Sequence, residues 1–265
     1  MPGIGDPRRE VIAMISLNGQ RTLITGGSRG IGRAAAILFA RAGSDVAINF
    51  NRNEKAALEV KEDVESLGRR CLVRKADLSR RDDAVALASA VADAWGGVDT
   101  LVNNHGIWTY LEMGRGDLES WKETVNVNLD GVFYLTDAIV PMMKARKTGC
   151  IINVGSTAGI RGEALHSHYA ATKGALNALT KSWCAELAPF GIRVNCVAPG
   201  WVDTDMSAES FADPAFRESV RQSIPLKRIP SAEDIAGPIL FLASPLARHI
   251  TGAIINVNGG AVLSG

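Results

Sequence analysis

Thr22-Leu23-Ile24-Thr25-Gly26-Gly27-Ser28-Arg29-Gly30-Ile31-Gly32 is the stretch on which the fold reading turns. A short β-rich run feeds straight into a glycine-rich turn. Beyond it Ile31, Ala34, Ala35, Leu38 and Phe39 recur at i, i+3, i+4, i+7 and i+8, the single apolar stripe of a helix. Strand, glycine turn and helix in that order place free amides and the positive end of a helix dipole beside a backbone with no side chains in the way. A phosphate can approach closely there. Glycines alone are weak evidence, since many tight turns hold them; their position between strand and helix makes the stretch a dinucleotide fingerprint.

Working outward, the same alternation continues along the chain. Strand candidates are Thr22–Thr25, Asp45–Phe50, Arg70–Arg74, Asp99–Asn103, Cys150–Val154, Arg193–Val197 and Ala253–Val257. They are short, rich in Val and Ile, and apolar almost throughout, as strands covered on both faces are. Between them Glu54–Leu67, Asp82–Trp95, Leu118–Lys144, Ser167–Ala188 and Ala232–Ala243 carry helical patterns. Repeated strand–helix units predict an α/β fold: one Rossmann-type, doubly wound parallel sheet of seven strands with helices on both faces. Residues 17–265 are expected to form this single dinucleotide-binding and catalytic domain. Met1–Ser16, with Pro2, Gly3, Gly5 and Pro7, reads as a flexible leader without the layout of a secretory signal. Val202–Pro230 adds no strand between the sixth and seventh, and leaves from a strand end where ligands bind in such sheets. It is a candidate substrate lid.

Composition narrows the function classes. The 265 residues are 46% hydrophobic and 22% charged with a formal net charge of +1, so no global field favours nucleic acid or an anionic membrane. No apolar run reaches the roughly 18–20 residues needed to span a bilayer. Cys71, Cys150, Cys184 and Cys196 are scattered without metal-ligand spacing, which predicts reduced core thiols and a cytoplasmic protein needing no metal.

The end of the second strand bears on cofactor choice. An Asp or Glu there would hold the ribose hydroxyls of NAD, but the chain reads Ile48-Asn49-Phe50-Asn51-Arg52. Arg52 past the strand and Arg29 in the loop offer guanidinium groups to a 2′-phosphate, which favours NADP(H), with NAD(H) as the alternative. A chemical group emerges further along. Tyr169 and Lys173 are four apart in a helical stretch and so share a face, where an ammonium would lower the phenol's pKa toward a working range. Ser156 follows a strand end, where its hydroxyl can bond a reacting carbonyl. Asn128 places an amide in a helix, where burial demands a partner.

With these residues assembled, the chain resembles the short-chain dehydrogenase/reductase family over nearly all of Arg21–Gly260. The likeness rests on the Thr25–Gly32 loop, Asp77, Asn103–Gly106, Asn128, Ser156, Tyr169 with Lys173, Pro199-Gly200 with Thr204, and Gly259-Gly260, in order and at these spacings. It implies an oxidoreductase that interconverts a carbonyl and a secondary alcohol. Tyr169 would be general acid/base, Ser156 would orient the substrate oxygen, Lys173 would hold the nicotinamide ribose, and Asn128 would anchor a relay water. It further implies that the cofactor channel takes in Thr25, Gly26, Ser28, Arg29, Gly30, Ile31 and Gly32, then Asn51 and Arg52. Asp77 and Leu78, Asn104 and Gly106, and Pro199, Gly200, Val202 and Thr204 would complete it. Homotetramers are common in the family, so one is expected here.

Two departures from the family pattern stand out: His105 occupies the small position of Asn-Asn-Ala-Gly and reads as a packing variant, and Asn258 replaces Asp before Gly259-Gly260. Among subfamilies the likeness is to 3-oxoacyl-acyl-carrier-protein reductases and to related bacterial sugar and secondary-alcohol dehydrogenases. The expected substrate is therefore a small carbonyl or alcohol, either free or acyl-carrier-protein-bound. Lys144, Arg146 and Lys147 could face an acidic carrier, while Phe190 before Gly191 stands where those enzymes often have a basic residue. Trp108, Tyr110, Glu163, His166 and His168 are candidate pocket residues. A catalytically silent cofactor-binding scaffold could dispense with Tyr169, Lys173 or Ser156, and a methyltransferase would have no use for the set; all are present.

Overall fold

The computed structural model describes residues 15–263. Strands β1 (Arg21–Ile24), β2 (Asp45–Phe50), β3 (Cys71–Lys75), β4 (Thr100–Asn103), β5 (Gly149–Val154), β6 (Ile192–Pro199) and β7 (Ile254–Val257) form one sheet in the order β3-β2-β1-β4-β5-β6-β7. Every neighbouring pair is parallel. The seven expected strands are all present.

Period-2 alternation explains why these strands are apolar throughout. Ile24, Ile48, Val102 and Ile152 face one layer with Ala35, Phe39 and Ile239. Their neighbours Leu23, Ala47, Leu101 and Ile151 face the other with Leu87, Val91, Leu135 and Ile139. The first layer is built on helices α1 (Gly30–Arg41) and α2 (Glu54–Ser66), the second on α3 (Arg81–Trp95). The chain moves outward from β1 to β3, then returns to β4 on the other side of β1. At that reversal the crossovers diverge and leave a crevice beyond the strands' carboxyl ends, where the site lies.

The helix expected over Leu118–Lys144 is divided. It runs as α4 (Leu118–Val125), a π turn at Asn126–Asp130 and α5 (Gly131–Arg146), with the Gly131 N–H donating to the Asn126 carbonyl. Next come the short α6 (Ala158–Arg161) and the long α7 (Ser167–Leu187). Val202–Pro230 contains α8 (Ala208–Phe211) and α9 (Pro214–Ser223), and α10 (Ala232–Ala243) returns to the sheet. This excursion has its own small core of Phe211, Val220 and Ile224, with Trp201 and Ile229 against it. Its ends meet, the Asp203 N–H donating to the Pro230 carbonyl at 2.9 Å. Of the expected leader only Ile15 and Ser16 fall within the described residues, and Ile15 is buried in the first layer. Among the described residues no helix is long and apolar enough to cross a membrane, and no group of three His, Cys, Asp or Glu could hold a metal ion.

Candidate active site

The phosphate loop owes its shape to glycine where no other residue fits. Gly26 and Gly30 have φ of +61° and +52°, a region L side chains rarely adopt. A Cβ on Gly32 would lie 2.3 Å from the Gly26 carbonyl oxygen, so Gly32 lets α1 begin against the loop's own backbone. Asn49, in the middle of an apolar strand, pins the turn: its side-chain oxygen accepts from the Gly26 N–H at 2.9 Å and its amide donates to the Ala76 carbonyl at 3.1 Å. In the sequence Asn49 registers only as a non-acidic residue near the end of the second strand. A buried amide in a strand of Val, Ile and Phe was the available signal, because such a group must have partners.

A single cleft of about 990 Å³ runs from this loop to Tyr169. Gly26, Ser28, Arg29, Gly30 and Ile31 line one end, with Asn51, Arg52, Asp77 and Leu78 beside them. Asn104, Gly106, Pro199, Gly200, Val202 and Thr204 line the middle, and Ser156, Tyr169 and Lys173 the far end. Thr25 and Gly32 stand behind the loop. The Thr25 hydroxyl donates to the Val102 carbonyl at 3.2 Å and accepts from the Asn104 N–H at 2.8 Å, so Thr25 supports the channel wall. The cleft fits a dinucleotide by its chemistry: side-chain-free backbone at the phosphate loop, then cations where a 2′-phosphate would lie. Arg52 is exposed with no carboxylate within 4 Å among the described residues, while Arg29 lies 3.9 Å from Asp205 at the start of the excursion.

At the far end, Tyr169 and Lys173 sit one turn apart on α7, and Ser156 leaves β5 toward them. Burial pushes the Tyr169 phenol up to about 12, against a hydrogen bond with Ser156, and Glu163 adds a smaller upward push. Burial lowers Lys173 to about 8. Its ammonium donates to the Val154 carbonyl at 2.8 Å and lies 5.7 Å from the centre of the Tyr169 ring. In the chain by itself, then, desolvation outweighs any lowering of the phenol by Lys173.

Asn128 is fully buried in the π turn, and its amide closes a two-way clamp on Ile107. Its oxygen accepts from the Ile107 N–H and its nitrogen donates to the Ile107 carbonyl, both at 2.8 Å. The side chain is thereby occupied with backbone. Next to it, His105 Nδ1 lies 2.8 Å from the Thr25 hydroxyl. A Cβ on Gly131 would come within 2.9 Å of His105 Nε2, so the imidazole fills the space a small residue would leave. Burial first, then Lys173, holds His105 down to about 4, and the ring is neutral at physiological pH.

The expected pocket residues separate. Trp108 and Glu163 line the cleft, joined by Arg161, Trp201 and Met206, which the sequence did not mark. Trp108 stacks on His166 at 4.2 Å and meets Trp201 edge-on at 5.6 Å. His166 thus sits behind the wall, and Tyr110 is exposed. His168 is buried, with Nε2 2.7 Å from the Thr109 hydroxyl and its pKa lowered by burial; it braces a loop. The basic run is partly consumed by structure. Arg146 pairs with Asp99 at 3.3 Å, and Lys144 lies 4.7 Å over the Phe190 ring. Asn258 accepts from the Gly260 N–H at 2.9 Å and donates to the Val262 carbonyl at 2.8 Å, closing a local turn.

Comparison with known proteins accords with this geometry. The family model described as enoyl-(acyl carrier protein) reductase matches residues 26–262. A 3-oxoacyl-[acyl-carrier-protein] reductase of Synechocystis is 38% identical over 94% of this chain and 100% of its own. An L-rhamnose 1-dehydrogenase (NAD(P)(+)) of Azotobacter vinelandii is 39% identical over 90% and 94%. A crystal structure of a short-chain alcohol dehydrogenase from Sinorhizobium meliloti 1021 superposes with a TM-score of 0.89 at 33% identity, covering 93% of this chain and 97% of that one. With the glycine loop, the Tyr169–Lys173 pair and Ser156 at the end of one parallel-sheet cleft, and relatives matching over their whole length, the chain belongs to the short-chain dehydrogenase/reductase family of oxidoreductases.

Proposed function

We propose that the protein interconverts a ketone and a secondary alcohol with NADP(H), and that Tyr169, Ser156, Lys173 and Asn128 form its catalytic group. The observation that carries this reading is the convergence of Tyr169, Ser156 and Lys173 in one cleft with the glycine phosphate loop. The loop, Asn51, Arg52, Asp77 and Leu78 would hold the nucleotide half, and Asn104, Gly106, Pro199, Gly200, Val202 and Thr204 the remainder. When bound, the nicotinamide supplies the hydride chemistry.

The chain's own residues handle the oxygen and its proton. Burial keeps the Tyr169 phenol protonated at neutral pH, so its Oη can donate to a carbonyl oxygen as negative charge develops, and can accept that proton in reverse. The Ser156 hydroxyl, which lines the cleft with the same phenol, orients the oxygen. The Val154 carbonyl fixes the Lys173 ammonium beneath Tyr169, where it can also meet a ribose hydroxyl. Asn128 holds Ile107, so the Gly106–Ile107 wall of the channel is preset. Arg52, with no carboxylate partner among the described residues, and Arg29 favour the 2′-phosphate of NADP(H) over NAD(H).

For the substrate, reduction of a 3-oxoacyl thioester on an acyl carrier is supported by the names of several relatives. Sugar or secondary-alcohol oxidation is the second reading, favoured by the carboxylate of Glu163 in the cleft and by Phe190 in place of a basic residue. A cytoplasmic homotetramer fits the four free cysteines and the exposed Trp121 and Phe133 near the π turn. Replacing Tyr169 with Phe tests the core of the proposal. Turnover on a carbonyl panel should fall at least ~100-fold, the usual contribution of a positioned acid, while NADPH titrates the fluorescence as in the parent. Near-parental turnover would refute the assignment.

A further inference from the structure

The cleft holds one charged group that the chemistry above does not use. Glu163 lies between Ser156 and Tyr169 in sequence, in the segment after α6, and lines the cleft at its substrate end. Its side chain is 18% exposed, and the His166 ring nitrogen Nδ1 lies 3.9 Å from its carboxylate. No Lys or Arg lies within 4 Å of it among the described residues, although Arg161 lines the same cleft. A largely desolvated carboxylate without a strong donor is costly, and it gains most from a ligand that brings donors. Trp108 and Trp201 line the same cleft and meet edge to face, their ring planes 83° apart. The stack with His166 fixes the orientation of Trp108.

We infer, resting on the oxidoreductase reading, that Glu163 is a specificity-determining residue. It accepts hydrogen bonds from hydroxyls beside the reacting carbon, and the substrate is a polyhydroxylated molecule such as an aldose or a polyol. The two indole rings would cover its C–H surfaces, as apolar walls with a few placed polar groups do in small-molecule sites. A 3-oxoacyl chain offers no donor at the methylenes beside its ketone. Seating one here would press hydrocarbon against an ionised carboxylate and strip it of water. An anionic substrate would meet the same charge at close range. Glu163 and Tyr169 line the same cleft, and the carboxylate adds a small upward push to the phenol.

The test separates binding from turnover. In the Tyr169→Phe protein saturated with NADPH, aldopentoses and aldohexoses are titrated calorimetrically; adding Glu163→Ala should weaken the best of them by 10–100-fold, the value of a hydrogen bond to a charged group. In the otherwise unaltered enzyme, Glu163→Ala should lower the ratio of kcat/KM for that sugar to kcat/KM for cyclohexanol by a similar factor, and Glu163→Gln, which keeps one acceptor oxygen, by less. An unchanged sugar affinity in Glu163→Ala overturns the inference. So does a parent enzyme that reduces acetoacetyl thioesters and binds no aldose, a result that leaves the Tyr169 assignment standing. If the parent turns over no carbonyl or alcohol and Tyr169→Phe changes nothing, the oxidoreductase reading fails and this inference with it.

Discussion

Replacing Asn128 with Ala removes both halves of a buried clamp, and the consequences can be worked out. The Ile107 N–H and carbonyl would each lose a 2.8 Å partner, and Thr172 a weaker one at 3.4 Å. Asn128 is fully buried, so water does not simply take the amide's place. Leaving a buried donor or acceptor unmet costs about 1–3 kcal/mol each, so the two main groups together predict a loss of about 2–6 kcal/mol. For a chain of this size that lowers Tm by roughly 4–24 °C at constant protein concentration. Released from Asn128, the Gly106–Ile107 wall would also lose its fixed position beside Lys173, whose ammonium would sit 3.6 Å from a Cβ at Gly106. NADPH affinity should fall along with stability. Asn128→Asp keeps the acceptor but not the donor and buries a charge, so it should be no more stable than the Ala variant. Thermal melts of both proteins and NADPH titration decide the matter. A Tm within about 2 °C of the parent, with turnover nonetheless lost, would show that Asn128 serves the reaction through a relay water alone and that the clamp is incidental.

Other expectations follow from the same structure. Changing Arg29 and Arg52 to Ala should weaken NADPH relative to NADH, by roughly 10–100-fold for each lost charge-assisted contact. Arg52 should matter more, because Arg29 already has Asp205 nearby; an unchanged nucleotide preference in fluorescence titrations would remove both from the 2′-phosphate. Burial lowers Lys173 from 10.5 to about 8, so between those values the unfolded chain holds a proton that the folded chain has shed. That residue's contribution to stability must therefore rise with pH across the window, while below pH 8 the penalty is fully present. Urea titrations at pH 8, 9 and 10 should show a rise in the parent that Lys173→Met lacks, and a fall specific to the parent would contradict the burial of the ammonium.

Much of this architecture could be read from residues because several signals agreed. The glycine loop, the unbroken Val/Ile runs and the helical stripes each pointed to a doubly wound parallel sheet, and local preference and tertiary burial ask for the same thing in such strands. The side chains proposed for catalysis stand out in the sequence by their order and spacing. What escaped was of two kinds. Asn49 and Trp201 act through neighbours distant in sequence, the phosphate loop and Trp108, which only folding brings to them. His166 and Arg146 suggest function by type and position, but a ring stack and an ion pair take them up; His168, read as structural, bonds the Thr109 hydroxyl. A titratable residue advertises its chemistry in the sequence; whether another part of the chain has already claimed it does not show there. The break in Leu118–Lys144 is likewise hidden, since no Gly or Pro lies within the Asn126–Asp130 turn to mark it.

That π turn has a consequence for the numbering of the whole domain. A regular α-helix advances 100° per residue, so the one additional residue in the Asn126–Asp130 turn rotates everything after it by about that angle. Upstream, Thr124 faces inward; downstream, Leu135, Ile139 and Met143 face the sheet only because the rotation has been made. The segment therefore behaves like a thread with a fixed phase. The exposed loop at residues 112–116 can gain or lose a residue and leave every contact in register. A single deletion at Val127 would instead swing the inner face of α5 a quarter-turn out of the second layer and carry Asn128 away from Ile107, so that one missing residue would disturb core and channel wall together.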